Sequence, residues 1–276
     1  MMKIGNHDFN TTQDCYVMGI LNCTPDSFSD GGRWNKLDRA LAHAEEMIRD
    51  GAAILDLGGE STRPGYAPIS VQEEIDRIAP VIEAVTARFD IPVSVDTYKS
   101  GVAAAALQAG AVMVNDIWGL QYDPDMAPLI AARRVPCCLM HNRKETVYQD
   151  FPAELRRDLL HSVSLAKAAG IPDGAIILDP GVGFAKSWRQ NLAVIHRLDQ
   201  VTRLGYPALL GASRKSCIGL ALGLPASERM EGTLVTTVFA VLHGASFVRV
   251  HDVKENVRAV KMAQAILREG GDENGL

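Results

Sequence analysis

The sequence lacks several features that would assign the protein to a particular class. Among its 276 residues there is no uninterrupted apolar run of the roughly 20 residues that a membrane span requires, and the first residues lack the apolar core of a signal peptide. Basic residues are not in excess either, since the formal net charge is −5. We therefore expect a cytoplasmic protein with no membrane or nucleic-acid partner, in which local Arg, Lys and backbone N–H groups hold any anionic ligand.

Cysteine is scarce and shows no pattern. The five cysteines are an odd number, and their spacing is not that of a metal-ligand set. Cys137 and Cys138 are adjacent in an apolar segment, so their side chains should point to opposite faces of a strand. Cys23 and Cys217 flank candidate site residues, but neither is evidently paired with a histidine. We interpret all five as reduced thiols with packing roles.

Eight short apolar segments are present, and each ends in a cluster of polar, charged or glycine residues. They are apolar throughout rather than alternating, which is typical of buried parallel strands. The predicted strands are residues 16–21, 53–57, 93–96, 112–115, 136–140, 175–179, 208–211 and 247–250. Eight is the number of strands that closes a parallel barrel.

Helical patterns separate these segments. The predicted helices are residues 36–50, a helix beginning after Ser70, and residues 101–109, 124–133, 153–169, 187–204, 228–243 and 253–268. Ser70 and Glu73 have capping-box spacing, and Pro80 predicts a kink or two helical pieces. The alternation predicts one α/β domain over residues 1–276, a (β/α)8 TIM barrel. Residues 1–14 form an extension that could be a hairpin across the barrel bottom, and residues 269–276 a flexible tail.

The polar clusters should converge, because the carboxyl ends of parallel barrel strands lie on one face. Asp96, Asn115 and Asp179 fall at strand ends and suit a flat heterocycle rich in ring N–H and amino groups. Each residue alone would more often cap a helix or brace a loop. Three of them facing one mouth favour ligand binding.

A second group suits a diphosphate. It combines residues beside Gly58 and Gly59 with residues of the last strand, namely Ser61, Thr62, Arg63, Arg249 and His251. Asn22 offers only a neutral oxygen, which suits a Mg²⁺ ion that keeps waters and is held mainly by substrate phosphate. His251 alone could equally be a hydrogen-bonded structural histidine.

A third group follows the seventh strand. Lys215 could stack on a ring or donate to it, and Ser216, at a predicted helix start, could donate to a carboxylate. The alternative is a solvated basic turn. Phe184 could wall a ring, or could belong to the core. Two long polar loops, residues 22–35 and 58–70, are expected to order when substrates bind.

Eight motifs occur in order along nearly the whole chain: NCTPDSFSDGG from Asn22, GGESTRPG from Gly58, SVDTYK from Ser94, NDIWG from Asn115, LMHNR from Leu139, LDPGVGFAK from Leu178, GASRKS from Gly211 and RVHDV from Arg249. Together they resemble the bacterial single-domain dihydropteroate synthases. The resemblance implies a TIM barrel, usually a homodimer, that condenses 6-hydroxymethyl-7,8-dihydropterin pyrophosphate with p-aminobenzoate to give 7,8-dihydropteroate and pyrophosphate. This transferase step of folate biosynthesis is the one that sulfonamide inhibitors block.

The resemblance also implies roles for individual residues. Pterin would bind Asp96, Asn115, Asp179 and Lys215, packed by Ile117, Met140, Phe184 and Gly211. Mg²⁺ would be ligated by Asn22, and pyrophosphate would be held by Ser61, Arg63, Arg249 and His251. The p-aminobenzoate would lie among Phe28, Thr62, Pro64, Lys215 and Ser216, and Asp30 would sit near the developing cation. The residues acting in catalysis would be Asp96, Asp179, Lys215, Asp30 and Arg63.

Two other functions remain open at this stage. A corrinoid-dependent methyltetrahydrofolate methyltransferase has a similar barrel and similar Asp/Asn pterin contacts, but it needs neither the long first and second loops nor the SRKS carboxylate site. A non-catalytic pterin-binding paralogue is the other, against which Asn22, Asp30, Arg63 and Lys215 argue. Fold alone would also admit a phosphosugar enzyme.

Overall fold

The chain folds as a closed parallel barrel preceded by a hairpin. A computed structural model describes residues 1–24, 33–61 and 67–269. In that part of the chain the strands are the antiparallel pair β1 (Met2–Ile4) and β2 (His7–Phe9), and the parallel strands β3 (Tyr16–Asn22), β4 (Ile54–Gly58), β5 (Val93–Asp96), β6 (Met113–Asp116), β7 (Cys137–Met140), β8 (Ile176–Asp179), β9 (Leu209–Leu210) and β10 (Phe247–Val250). Their order is β8-β7-β6-β5-β4-β3-β10-β9, and a parallel bridge between Leu178 and Ala208 joins β8 to β9. The predicted TIM barrel is confirmed.

Helices cover the outside of the barrel. Within the described ranges they are α1 (Arg33–Arg49), α2 (Val71–Arg88), α3 (Ser100–Gln108), α4 (Met126–Arg133), α5 (Phe151–Ala168), α6 (Trp188–His196), α7 (Asp199–Thr202), α8 (Ser216–Leu222), α9 (Met230–Leu242) and α10 (Val253–Leu267). The single helix predicted for residues 187–204 is wrong. The backbone leaves helical geometry at Arg197, with φ −119° and ψ 33°, and the short α7 then buries Val201.

Helix α2 is continuous through Pro80, so of the two predicted outcomes, a kink or two helical pieces, the second is wrong. Its buried stripe, which includes Ile78 and Ile82 on either side of the proline, packs against the barrel and outweighs the lost backbone hydrogen bond. Ser70 caps the helix, since its side chain accepts from the backbone N–H of Glu73. The Glu73 carboxylate pairs with Arg77 instead of returning the bond to the cap.

The hairpin closes the bottom of the barrel. Buried side chains of the hairpin pack against the amino-terminal halves of the strands in one cluster, formed by Met2, Ile4, Phe9, Met18, Ile54, Met113, Cys138, Ile177, Leu209 and Phe247. Cys137 faces the opposite way, into the layer between strands and helices, as the alternation of side chains predicted. All five cysteines are buried free thiols. None of the helices in the described ranges is long and apolar enough to span a membrane.

Candidate active site

The open end of the barrel holds a network of buried charges. Arg249, on β10, donates from Nε to Asp56 Oδ2 at 2.5 Å and from Nη2 to Asp96 Oδ2 at 2.6 Å. Asn115 donates from Nδ2 to Asp56 Oδ2 at 3.0 Å. The strand register sets Asp96 beside Asn115, and the end of β8 brings Asp179 to the same mouth. The predicted convergence of Asp96, Asn115 and Asp179 is therefore present.

Sequence reasoning missed Asp56 and Ser94. Both are fully buried and lie opposite each other on β4 and β5, one layer below the mouth. The available signal was a charged or hydroxyl residue inside an otherwise apolar strand, because such a residue needs a partner once it is buried.

Three buried oxygen atoms of this network have no hydrogen-bond partner in the described part of the chain: Asp56 Oδ1, Ser94 Oγ and Asp96 Oδ1. A buried acceptor left without a donor costs about 1–3 kcal/mol. A ligand that presents N–H or amino groups at the mouth would satisfy such acceptors. The open end of the barrel therefore favours a polar ligand that carries several hydrogen-bond donors.

Burial shifts the protonation of the charged groups that face the mouth. It raises the pKa of Asp96 to about 7, an effect that Arg249 opposes and the neighbouring Asp56 carboxylate reinforces. It also raises the pKa of Asp179, against the pull of Lys215. The same desolvation lowers the pKa of Lys215 to about 8. The pKa values of Asp96 and Lys215 therefore lie close to neutral pH, as is common for groups in functional sites.

The raised pKa of Asp96 predicts a pH-dependent stability. The folded chain holds this proton more tightly than the unfolded chain, so its stabilisation is complete below about pH 4 and is lost as the pH rises through about 7. Relative to Asp96→Asn, the wild-type free energy of unfolding should fall by up to about 1.4 kcal/mol per pH unit across that window. Thermal unfolding of both proteins between pH 4 and pH 8 measures this difference, and parallel profiles would contradict it.

The loop after β8 organises Asp179 and Lys215. Gly181 donates its N–H to Asp179 Oδ1 at 2.7 Å, and Lys215 donates to the Val182 carbonyl. The Lys215 ammonium also lies 4.7 Å from the centre of the Phe184 ring. Apolar side chains group beside these charges and form a wall, consisting of Tyr98, Ile117, Trp118, Met140 and Phe184.

Two glycines of this mouth have different roles. A β-carbon at Gly211 would stand 3.5 Å from Asp179 Oδ2 and 3.9 Å from the Arg249 β-carbon, so it would occupy space that now opens between them. Gly181 has φ +71°, and a β-carbon there would lie 2.1 Å from the His141 carbonyl oxygen. The first glycine leaves space in the site, and the second permits the close approach of two loops.

Substitution at Gly181 should be far more damaging than at a glycine of similar backbone conformation. Gly170 has φ +94° with no atom within 4 Å of its would-be β-carbon. Gly170→Ala should lower the free energy of unfolding only by the cost of a β-carbon at positive φ, about 1–2 kcal/mol. Gly181→Ala should cost at least about 2 kcal/mol more, because two backbones must separate. Denaturant unfolding of both variants tests this difference, and equal losses would contradict it.

The remaining candidates lie around the rim. Asn22 ends β3 next to Gly58, and Ser61 follows β4. His251 hydrogen-bonds the Ser213 hydroxyl through Nδ1 at 2.9 Å, and Ser216 is the exposed first residue of α8. The structure places Arg249 between two carboxylates rather than in an open anion site. Five further candidates lie outside the described residues: Phe28, Asp30, Thr62, Arg63 and Pro64.

A buried ion cluster braces the second long loop and was not foreseen from the sequence. Glu60 Oε2 accepts from Lys99 Nζ at 2.6 Å and from the N–H of Ile69 at 2.9 Å, and Tyr98 donates to Glu60 Oε1 at 2.6 Å. Lys99 also pairs with the buried Glu74 at 2.8 Å. The two ends of the segment from residue 60 to residue 69 are thus tied together beside the mouth.

The donor set at the rim limits what metal it can hold. Across residues 1–24, 33–61 and 67–269, no three His, Cys, Asp or Glu side chains are grouped as metal ligands. Asn22 contributes an amide oxygen at the end of β3. An amide oxygen of this kind fits a hard cation that arrives with substrate phosphate and water.

These features define a class: a TIM-barrel enzyme that binds a donor-rich heterocycle at the carboxyl end of its strands. A family model described as "Pterin binding enzyme" matches residues 18–251. A dihydropteroate synthase of Clostridium beijerinckii is 55% identical over 268 residues, which cover 97% of this chain and 100% of that protein. The chain therefore belongs to the pterin-binding enzymes and, within them, to the dihydropteroate synthases, which are transferases.

Solved structures agree. A Clostridium difficile dihydropteroate synthase crystallised with pteroic acid superposes with a TM-score of 0.92 at 48% identity, covering 95% of this chain and all of that one. A Yersinia pestis dihydropteroate synthase in complex with a sulfonamide drug superposes with a TM-score of 0.90 at 40% identity, covering 97% and 99%. The fold predicted from the eight motifs is thus that of the family.

Proposed function

We propose that the chain condenses 6-hydroxymethyl-7,8-dihydropterin pyrophosphate with p-aminobenzoate, giving 7,8-dihydropteroate and pyrophosphate. The observation that carries this proposal is the convergence of Asp96, Asn115 and Asp179 at one mouth, where three buried oxygens, one of them on Asp96, have no hydrogen-bond partner in the described part of the chain. A pterin ring has the amino and ring N–H groups that these acceptors require. The ring would pack on the wall formed by Ile117, Met140 and Phe184, over Gly211.

The reaction would follow a dissociative course. The bond between the pterin methylene carbon and the pyrophosphate oxygen breaks, and pyrophosphate leaves with the electron pair. The methylene carbon remains on the pterin as a cation that delocalises into the ring, until the arylamine nitrogen bonds to it and loses a proton. The barrier therefore depends on stabilising charge at both ends. The Asp96 and Asp179 carboxylates would stabilise the positive charge on the ring, and Lys215, which donates to the Val182 carbonyl, would bind the pterin through one of its acceptor atoms. Orientation of the arylamine then supplies much of the remaining rate gain, and no covalent nucleophile is needed.

The departing pyrophosphate would be neutralised at the rim. The residues that would hold it are Ser61, Arg63, Arg249 and His251, with Asn22 holding Mg²⁺ through its amide oxygen. When bound, Mg²⁺ would lower the negative charge on the leaving group. Arg249 would have to divide its donors between the phosphate and its two carboxylate partners, Asp56 and Asp96.

The p-aminobenzoate would bind against Lys215 and the exposed Ser216, with Phe28, Thr62 and Pro64 completing its surroundings and Asp30 near the developing cation. The Yersinia pestis relative binds a sulfonamide drug, and we extend that property to this chain as part of the proposal. Sulfonamide inhibition competitive with p-aminobenzoate is the result that this placement requires.

A pyrophosphate-release assay with both substrates tests the proposed function. Release that depends on p-aminobenzoate, stops with EDTA and returns with Mg²⁺ would support it. A paralogue that only binds would take up the pterin substrate without releasing pyrophosphate. A methyltransferase would show no pyrophosphate release that depends on p-aminobenzoate or on Mg²⁺. Either of these outcomes would overturn the proposal.

A homodimer is the assembly we propose. Exposed apolar side chains lie on the neighbouring helices α6, α8 and α9, namely Trp188, Leu192, Leu220, Leu222, Val235 and Leu242. Trp188 donates from its indole to the Cys217 carbonyl and so joins α6 to α8. A second copy of the chain would remove this surface from water.

The five buried free thiols agree with a reducing cytoplasm, where we place the enzyme.

Substitution on this surface should separate the protomers. Leu220 is 66% exposed, so replacing it with Lys should change the stability of the monomer little. A lysine buried between two copies would destabilise the dimer. Light scattering after size-exclusion chromatography should show Leu220→Lys as a monomer. Met262→Lys, at a 62% exposed position on α10, is the matched control and should remain dimeric. A monomeric wild type, or a dimeric Leu220→Lys variant, would refute this interface.

A further inference from the structure

Lys186 joins two of the loops at the mouth. Its ammonium lies 2.8 Å from His141 Nδ1, 3.0 Å from the Gly181 carbonyl and 3.0 Å from the Phe184 carbonyl. His141 follows β7, whereas the two carbonyls belong to the loop after β8. One lysine side chain, whose pKa burial lowers to about 7, therefore contacts three acceptors drawn from two neighbouring loops.

The segment that Lys186 holds, residues 181–184, itself holds the pterin-facing groups. The N–H of Gly181 fixes one oxygen of Asp179, and the Val182 carbonyl accepts from Lys215. The Phe184 ring lies under the same Lys215 ammonium. A change in the path of this segment would therefore move both Asp179 and Lys215.

The backbone of this segment is only partly fixed by other contacts: the Phe184 N–H donates to the Gly181 carbonyl at 3.1 Å, and the Gly183 N–H donates to Asn191 Oδ1 at 2.6 Å. Gly181 and Gly183 have φ of +71° and +86°, and Ala185 has φ +45°, a left-handed conformation that disfavours a β-carbon. Glycine-rich backbone of this kind has many alternatives of similar energy when it is free. A donor that bonds two of its carbonyls selects one of them.

Lys186 is itself fixed from behind. His141 is buried, and since its Nδ1 accepts from the ammonium, its Nε2 carries the hydrogen and points to Asp158 Oδ2 at 3.3 Å. Burial and the nearby Lys186 charge lower the pKa of His141 to about 3, so the ring remains a neutral acceptor. Arg143 donates to the same Asp158 oxygen at 2.5 Å. The cluster thus runs from α5 to the loop at the mouth.

We propose that Lys186 is a positioning residue for the pterin subsite, which sets the path of residues 181–184 and through them the placement of Asp179 and Lys215. The inference rests on the proposed function, because it assigns the pterin to this end of the barrel. Lys186 acts through other residues and touches no substrate. Lys215 also faces the proposed p-aminobenzoate site, but when pterin is bound, the ring itself holds Lys215 in place. Loss of Lys186 should therefore weaken pterin binding and leave p-aminobenzoate binding at the pterin-occupied site largely intact.

The test is Lys186→Met, which keeps the first four positions of the unbranched side chain and removes the ammonium with its donors. We expect the KM for the pterin substrate to rise at least about tenfold and the KM for p-aminobenzoate, at saturating pterin substrate, to change less than about threefold. Calorimetric titration with the pterin substrate alone should show the same loss of affinity. Lys167→Met, which removes an exposed lysine paired with Asp173, is the control and should bind pterin like the wild type.

Two results would overturn the inference: wild-type pterin affinity in a folded Lys186→Met protein, or equal losses for both substrates. If the methionine variant does not fold, Lys186→Gln retains an amide donor and should still lose at least about fivefold in pterin affinity. Unchanged affinity in that variant counts against the inference equally. Absence of activity in the wild type would instead refute the proposed function, so the two failures are distinguishable.

Discussion

Asp179→Asn should lower turnover about 100- to 1,000-fold while leaving the fold intact, the range measured for removing one preorganised electrostatic contact to a transition state. The asparagine can keep the hydrogen bond from the Gly181 N–H through its remaining oxygen. Its amide nitrogen would replace Oδ2 and present a donor where the ring also presents donors. The variant loses both the negative charge and an acceptor at the point where positive charge develops.

The pyrophosphate-release assay measures this loss, and thermal unfolding verifies the fold. Asp173→Asn is the matched control, because Asp173 is an exposed aspartate that pairs with Lys167 and Tyr206 away from the mouth. That variant should turn over like the wild type. A folded Asp179→Asn protein with wild-type turnover would remove Asp179 from the mechanism.

Much of the barrel could be predicted because buried parallel strands have a simple pattern. The segments predicted at residues 93–96 and 247–250 are β5 and β10 with the same bounds. Of the strand predicted at residues 208–211, only Leu209–Leu210 is a strand in the structure, because strand pairing near Gly211 depends on how the barrel closes. Likewise the helix breaks at Arg197 because α7 packs separately and buries Val201. No local pattern in residues 187–204 indicates this tertiary contact.

Site residues that stand at the ends of strands could be predicted from the sequence. Residues that matter because of their contacts in the folded chain could not. Asp96, Asn115 and Asp179 could be grouped because barrel topology alone brings strand ends together. Asp56 lies inside β4, and its importance follows from its bonds with Arg249 and Asn115, which depend on the register across five strands. Lys186 stands in a recognisable motif, yet its three acceptors lie on two loops and become visible only in the folded chain.

Arg249→Met should destabilise the protein by about 3–5 kcal/mol, the cost of leaving buried charges without their partner. Asp56 is fully buried and the Asp96 side chain is 9% exposed, and Arg249 bonds both. For a chain of this size the unfolding temperature should fall by roughly 10 °C. The variant should also lose turnover, since Arg249 is among the residues proposed to neutralise pyrophosphate. Thermal unfolding at pH 8 measures the first effect.

Charge, rather than lost packing, should account for most of that destabilisation, and two comparisons separate them. Because Arg249 lowers the pKa of Asp96 against the effect of burial, its removal raises that pKa further, so acid should neutralise the orphaned Asp96 carboxyl group. The difference between variant and wild type should therefore shrink from pH 8 to pH 5. Combining Arg249→Met with Asp56→Asn removes one orphaned charge and should restore part of the stability. A deficit that neither acid nor the second substitution reduces would mean that Arg249 stabilises the barrel through its side-chain packing alone.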